Sequence, residues 1–87
     1  VVNSVISTGC YIGRDAVVEN SVIMPDARIG NGCCVRYAII GEETELCDNV
    51  KFGDDPKYYE NEQWALAVLG KGKTVERNSV VPPASVL

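Results

Sequence analysis

Gly70-Lys71-Gly72-Lys73 is the stretch of this 87-residue chain whose residue types and spacing could hold a ligand. Two ammonium groups separated by glycine, beside backbone that can approach closely, can cradle a phosphate. The same four residues also read as a solvated edge. Elsewhere the raw material for catalysis is thin. The chain contains no histidine, so it has no imidazole to serve as a general base near neutral pH and none to complete a zinc site. Its four cysteines, Cys10, Cys33, Cys34 and Cys47, have neither a histidine to activate them nor a CxxC spacing. Asp54 and Asp55 adjoin in sequence, but they open an acidic stretch whose carboxylates read as solvated.

The elements that carry the two lysines are announced by a repeat of 17 residues. Asn3-Ser4-Val5-Ile6 returns as Asn20-Ser21-Val22-Ile23 and again as Tyr37-Ala38-Ile39-Ile40. Aliphatic or aromatic residues step by six, six and five: Ile6, Ile12, Val18, Ile23, Ile29, Val35, Ile40, Leu46, Phe52. Such steps do not fit an amphipathic helix, which needs spacings of three and four. They fit a triangular coil in which each hexapeptide supplies one short strand and one corner. The large residue and a small residue or valine four later are expected to point inward: Cys10, Ala16, Val22, Ala27, Cys33, Ile39, Thr44 and Val50. Coils stack at the strand spacing of about 4.8 Å, and their aliphatics pile into a core that one coil could not bury. The expected fold is all-β, a parallel β-helix built as a hexapeptide-repeat solenoid, with about four coils and one inserted loop.

The coils are placed at 1–17, 18–34, 35–53 and 68–87, in a single domain. After Phe52 the pattern breaks and resumes at Leu69, then runs at sixes through Val75, Val81 and Leu87. Residues 54–67 are therefore an insertion that carries Tyr58, Tyr59 and Trp64, able to dock a partner, cover a core edge or cap the stack. In this register Lys71 holds the outward slot of Glu42, and Lys73 the inward slot of Thr44. A lysine in an inward slot must snorkel out or the coil must open, because a buried unpaired ammonium is costly. Outward charges also align between coils. Glu19 lies one coil from Arg36, and Arg28 lies between Tyr11 and Glu45. Asp26, at an expected corner, should tolerate alanine within about 0.5 kcal/mol.

Bulk properties narrow the partners. Eight Lys and Arg against twelve Asp and Glu leave a net charge of −4, which argues against a nucleic-acid surface. No apolar run approaches the roughly 20 residues of a membrane span. The cysteines fit small inward or surface slots of the repeat better than a disulfide framework, so free thiols in a reducing, cytoplasmic compartment are expected. Val1 starts in register and Leu87 ends on an aliphatic position, so a longer parent protein is expected.

The strings themselves carry a resemblance. Asn20-Ser21-Val22-Ile23-Met24-Pro25 with Ile29-Gly30, then Ala38-Ile39-Ile40-Gly41, resembles the C-terminal β-helix of bacterial glucose-1-phosphate adenylyltransferases. So does Val68-Leu69-Gly70-Lys71-Gly72 followed by Val80-Val81-Pro82-Pro83. The resemblance implies a left-handed coil. It implies a parent that converts ATP and glucose 1-phosphate to ADP-glucose and pyrophosphate with Mg²⁺, for glycogen synthesis. Catalytic residues, ATP and Mg²⁺ would then belong to an N-terminal catalytic domain absent from these residues. The β-helix would be the regulatory and oligomer-forming part of a homo- or hetero-oligomer, and basic residues near its junction with that domain would bind a sugar-phosphate effector. Lys71 matches such a basic position; Lys73 stands where the family usually has a small residue. Two alternatives remain at this point: a fragment of a hexapeptide-repeat acyltransferase whose histidine lies outside the chain, and a noncatalytic scaffold solenoid.

Overall fold

The computed structural model describes residues 3–55 and 65–87. Twelve short strands are present among them, one per side of a triangular coil. They are β1 (Val5–Ile6), β2 (Tyr11–Ile12), β3 (Val17–Glu19), β4 (Val22–Ile23), β5 (Arg28–Ile29), β6 (Cys34–Arg36), β7 (Ala38–Ile40), β8 (Glu45–Leu46), β9 (Lys51–Phe52), β10 (Ala67–Leu69), β11 (Thr74–Val75) and β12 (Val80–Val81). They form three parallel sheets, ordered β1-β4-β7-β10, β2-β5-β8-β11 and β3-β6-β9-β12. The fold is therefore the all-β parallel β-helix that the six-six-five spacing requires.

The register shows why. Ile6, Ile23, Ile40 and Leu69 pair in one column. Ile12, Ile29, Leu46 and Val75 make the second, and Val18, Val35, Phe52 and Val81 the third. From Ile23 to Phe52 these side chains are fully buried. Exposure rises at the ends of the columns, to 36% at Ile6 and 48% at Leu87. Leu87 belongs to the first column, since its N–H donates to the Val68 carbonyl and its own carbonyl accepts from Gly70 N–H. Each coil alone buries little; the stacked columns supply the apolar contact.

The inward rule needs one correction. Val22 and Ile39, expected inward, lie half-exposed on the outer face, while Ser21 and Ala38 are buried. Strand side chains alternate, so the inward companion of an aliphatic residue is the one two positions before it. On a six-residue side that residue falls four after the previous aliphatic, but on the five-residue side it falls three after. Ser21 is satisfied in its buried slot: its hydroxyl donates to the Glu19 carbonyl at 2.8 Å and accepts from Ala38 N–H at 3.2 Å. Thr44 likewise donates to the Gly41 carbonyl at 2.7 Å.

Corners are made by single residues in the left-handed region. Gly9, Asp26, Glu43 and Gly72 occupy one corner column, and Asp15, Gly32, Asn49 and Asn78 another. This revises the expectation for Asp26. Its φ is 61°, a conformation that Asp tolerates better than Ala because a short polar side chain can bond locally. Asp26→Ala is now expected to cost about 1 kcal/mol, and a thermal melt showing no loss would mean that the corner relaxes. Gly53, also at positive φ, has a second constraint: a Cβ there would overlap the Arg36 carbonyl oxygen.

Tyr58, Tyr59 and Trp64 lie outside the described residues. No helix among the described residues is long and apolar enough to cross a membrane.

Candidate functional site

Lys71 sits at a corner of the fourth coil, one residue before Gly72. The Gly72 N–H reaches back to the Glu42 carbonyl at 2.9 Å, which locks the corner onto the coil beneath. Gly72 has a φ of 73° and open space where a Cβ would stand, so backbone here is free for close approach by a ligand. The Lys71 ammonium lies 4.0 Å from Glu42 Oε2 and 3.9 Å from Glu43 Oε1, with its side chain 68% exposed. Pairs at that distance in solvent contribute little. They do place two carboxylates where an anion would have to compete.

Lys73 lies in the column of Cys10, Ala27 and Thr44, and unlike Ala27 and Thr44 it is exposed. Its carbonyl still accepts from Glu45 N–H at 3.0 Å, so the backbone keeps register while the side chain leaves the core. Lys73 makes no ion pair among the described residues. The corner thus offers one ammonium turned toward carboxylates and one uncompensated. The Gly70 and Gly72 N–H groups are engaged by the Leu87 and Glu42 carbonyls, so what the corner offers an anion is the charge of its lysines; it offers no nucleophile or general base.

A second polar feature lies on the outer face of β2, β5 and β8. A cleft of about 270 Å³ is lined there by Tyr11, Arg28, Asn31, Glu45, Asp48 and Arg77, among others. The Arg28 guanidinium stacks over the Tyr11 ring at 4.7 Å from its centroid. Arg28 is also the register neighbour of Glu45, yet no ion pair joins them among the described residues; the aromatic face, which favours a planar cation, takes the guanidinium. The other expected pair does form, with Arg36 Nε donating to Glu19 Oε1 at 2.7 Å. That bond raises the arginine pKa further.

Along the adjoining corner the side chains of one coil bond the backbone of the one before. Asn31 Oδ1 accepts from Arg14 N–H at 2.8 Å, and Asp48 Oδ1 accepts from Asn31 N–H at 2.9 Å. Sequence reasoning passed over this ladder. The 17-residue period was the available signal, since it places Arg14, Asn31 and Asp48 in one column. The Asn31 and Asp48 side chains are occupied in holding the corner, and neither Lys71 nor Lys73 lines this cleft or its neighbour around Arg14 and Asn49.

The cysteines are all free thiols. Cys33 is buried and donates to the Cys47 carbonyl at 2.9 Å, and burial pushes its thiol pKa up. A thiol held protonated in the core is a packing group rather than a nucleophile. Among the described residues no group of three or more Cys, Asp and Glu is placed to hold a metal ion.

Comparison with known proteins adds to this geometry. The sequence model of the GlmU-like C-terminal hexapeptide family matches residues 1–75. A glucose-1-phosphate adenylyltransferase of Corynebacterium diphtheriae is 37% identical over 77 residues, which cover 84% of this chain and 18% of that protein. One from Desulforamulus reducens is 30% identical over 87 residues, covering 100% of this chain and 20% of the relative. One from Fervidobacterium nodosum is 37% identical over 99 residues, covering 87% and 23%. The chain spans about a fifth of the length of these relatives. No solved structure matches it at comparable significance.

Proposed function

The chain belongs to the GlmU-like C-terminal hexapeptide family, and from that premise we propose that it is the C-terminal regulatory and assembly domain of a glucose-1-phosphate adenylyltransferase. The observation that carries the proposal is similarity along the whole chain to proteins of that name. The coil register supports it, because every motif that resembles the family falls on a strand or corner of the solenoid.

In this proposal the parent polypeptide joins ATP and glucose 1-phosphate into ADP-glucose and releases pyrophosphate, in the cytoplasm, toward glycogen. ATP and Mg²⁺ bind in an N-terminal catalytic domain outside these 87 residues. The β-helix contributes no reacting group. Its part is to hold copies of the enzyme together and to present Lys71 and Lys73 to a sugar-phosphate effector. Such an effector changes activity only if it binds the active arrangement more tightly than the resting one, so the lysines must contact it unequally in the two.

Pyrophosphate exchange tests the assignment. The full-length polypeptide, given ATP, Mg²⁺ and glucose 1-phosphate, is expected to turn over, and the 87-residue chain alone to be inert at any concentration. Turnover by the chain alone, or none by the full-length polypeptide, would remove the assignment.

A further inference from the structure

The cleft on the outer face of β2, β5 and β8 is lined by charges that do not pair with one another. Arg28, Glu45, Asp48 and Arg77 stand there with Tyr11 and Asn31. Arg28 is the register neighbour of Glu45. The Asn78 N–H donates to the Asp48 carbonyl at 3.0 Å, which lays the corner of Arg77 on the corner of Asp48. Opposite charges thus meet between adjoining coils twice, yet none of the four is in an ion pair among the described residues. On the sheet of β3 and β6 the same arrangement does pair, Arg36 with Glu19 at 2.7 Å. What the cleft presents is therefore two sets of N–H donors and two carboxylates. Several of these groups are already fixed. Stacking on the Tyr11 ring holds the Arg28 guanidinium. Asn31 and Asp48 each engage one side-chain oxygen with a backbone N–H of the coil before, which leaves the Asn31 NH₂ and Asp48 Oδ2 to a ligand. A second hollow beyond the corner shares Asn31 and Asp48 with the first and adds Arg14 and Asp15. The two hollows form one groove across the corner. Its charges balance, Arg14, Arg28 and Arg77 against Asp15, Glu45 and Asp48.

We propose that this groove binds a neutral oligosaccharide. The charge pattern chooses the class. An anion in the groove would meet carboxylates and a cation would meet guanidinium groups, so a ligand of either sign faces like charge beside each opposite one. A hydroxyl both donates and accepts, so a row of hydroxyls satisfies both kinds of group at once. Hydrogen bonds with an ionised partner are the stronger ones, and the groove offers donors and acceptors that are ionised yet unpaired. Side chains held in place before binding lose less freedom when a ligand engages them. Tyr11 is 48% exposed and adds aromatic surface for the C–H side of a sugar ring. The two hollows measure about 270 and 340 Å³. Lying end to end across a corner, they suit linked sugar units better than a single ring. The site is separate from Lys71 and Lys73, which line neither hollow, and it does not depend on the adenylyltransferase assignment.

The test is calorimetric titration of the full-length polypeptide with maltoheptaose and, separately, with cellohexaose. At least one of the two is expected to bind with a Kd in the millimolar range or tighter. Glu45→Ala and Arg77→Ala remove an acceptor and a donor at exposed, unpaired positions, so both variants should keep a native β spectrum. Each should weaken binding by at least about tenfold, as expected for a hydrogen bond to a charged group. Lys71→Ala, at the other corner, should bind the sugar as wild type does. Inorganic phosphate in excess should not displace it. No heat from either sugar at millimolar concentration would overturn the proposal. Sugar binding that survives both substitutions would do the same, because the site would then lie elsewhere in the polypeptide. Displacement by phosphate would show an anion site instead. Binding is read without turnover, so this result and the pyrophosphate-exchange result can fail separately.

Discussion

Ile29→Asp is expected to abolish folding of the chain. Ile29 is 0% exposed and sits in a column between Ile12 and Leu46, with coils on both sides. Losing the aliphatic side chain costs about 2–5 kcal/mol on the scale of large-to-small core substitutions. The aspartate adds the cost of an unpaired carboxylate, because Lys73, the basic residue of the neighbouring inward column, is exposed and leaves the core without a cation. Domains of this kind hold only about 5–15 kcal/mol in total, so the two costs together exhaust the stability. Far-UV circular dichroism during a thermal melt is the measurement, and a flat, unfolded baseline is the expected result. Lys51→Ala is the control. It lies on β9 beside buried Phe52 but points outward, and it should change stability by less than about 0.5 kcal/mol. If both variants melted alike, the inward register would be wrong.

The second large effect concerns the activation that the proposed function assigns to the parent polypeptide. Lys71→Ala and Lys73→Ala should each raise the half-activating concentration of a sugar phosphate, within the roughly 5- to 150-fold span of typical coupling energies. Lys73→Ala is expected to be the larger. Its ammonium has no carboxylate partner among the described residues, whereas Lys71 already faces Glu42 and Glu43 at about 4 Å and must exchange them for the phosphate. Turnover without activator should be unchanged in both, because the proposed function puts the chemistry in another domain. An activator titration of full-length wild type against the two variants reads this directly. Identical half-activation in all three would return the lysines to a solvated edge.

The position of Lys73 shows how far periodicity alone can reach. Its column was legible by counting, since Cys10, Ala27 and Thr44 precede it at the repeat. That it leaves the core was legible too, because a buried unpaired ammonium is costly; that the side chain snorkels out while the backbone keeps its register, rather than the coil opening, was not. Counting fixes a residue's slot, while the path of its side chain depends on the packing around that slot. The same division holds for Arg28. Counting put Tyr11 on one side of it and Glu45 on the other, but the guanidinium took the ring. Two neighbours at equal sequence distance differ only in the geometry that their coils impose.

From the sequence by itself came the solenoid, its three inward columns, the interruption after Phe52 and the resumption at Leu69. These follow from apolar burial at a fixed step, a one-dimensional property that letters record. Only the tertiary structure decided that Ser21 and Ala38, rather than Val22 and Ile39, face inward on the five-residue side. It alone showed which corner residues take positive φ, and that Arg28, Glu45, Asp48 and Arg77 line one cleft with no ion pair among the described residues. Each of these depends on how one coil lies on the next. Side-chain alternation is counted backward from the following aliphatic, corner angles answer to hydrogen bonds from the coil beneath, and a cleft exists only once residues 17 or 29 positions apart are brought into register.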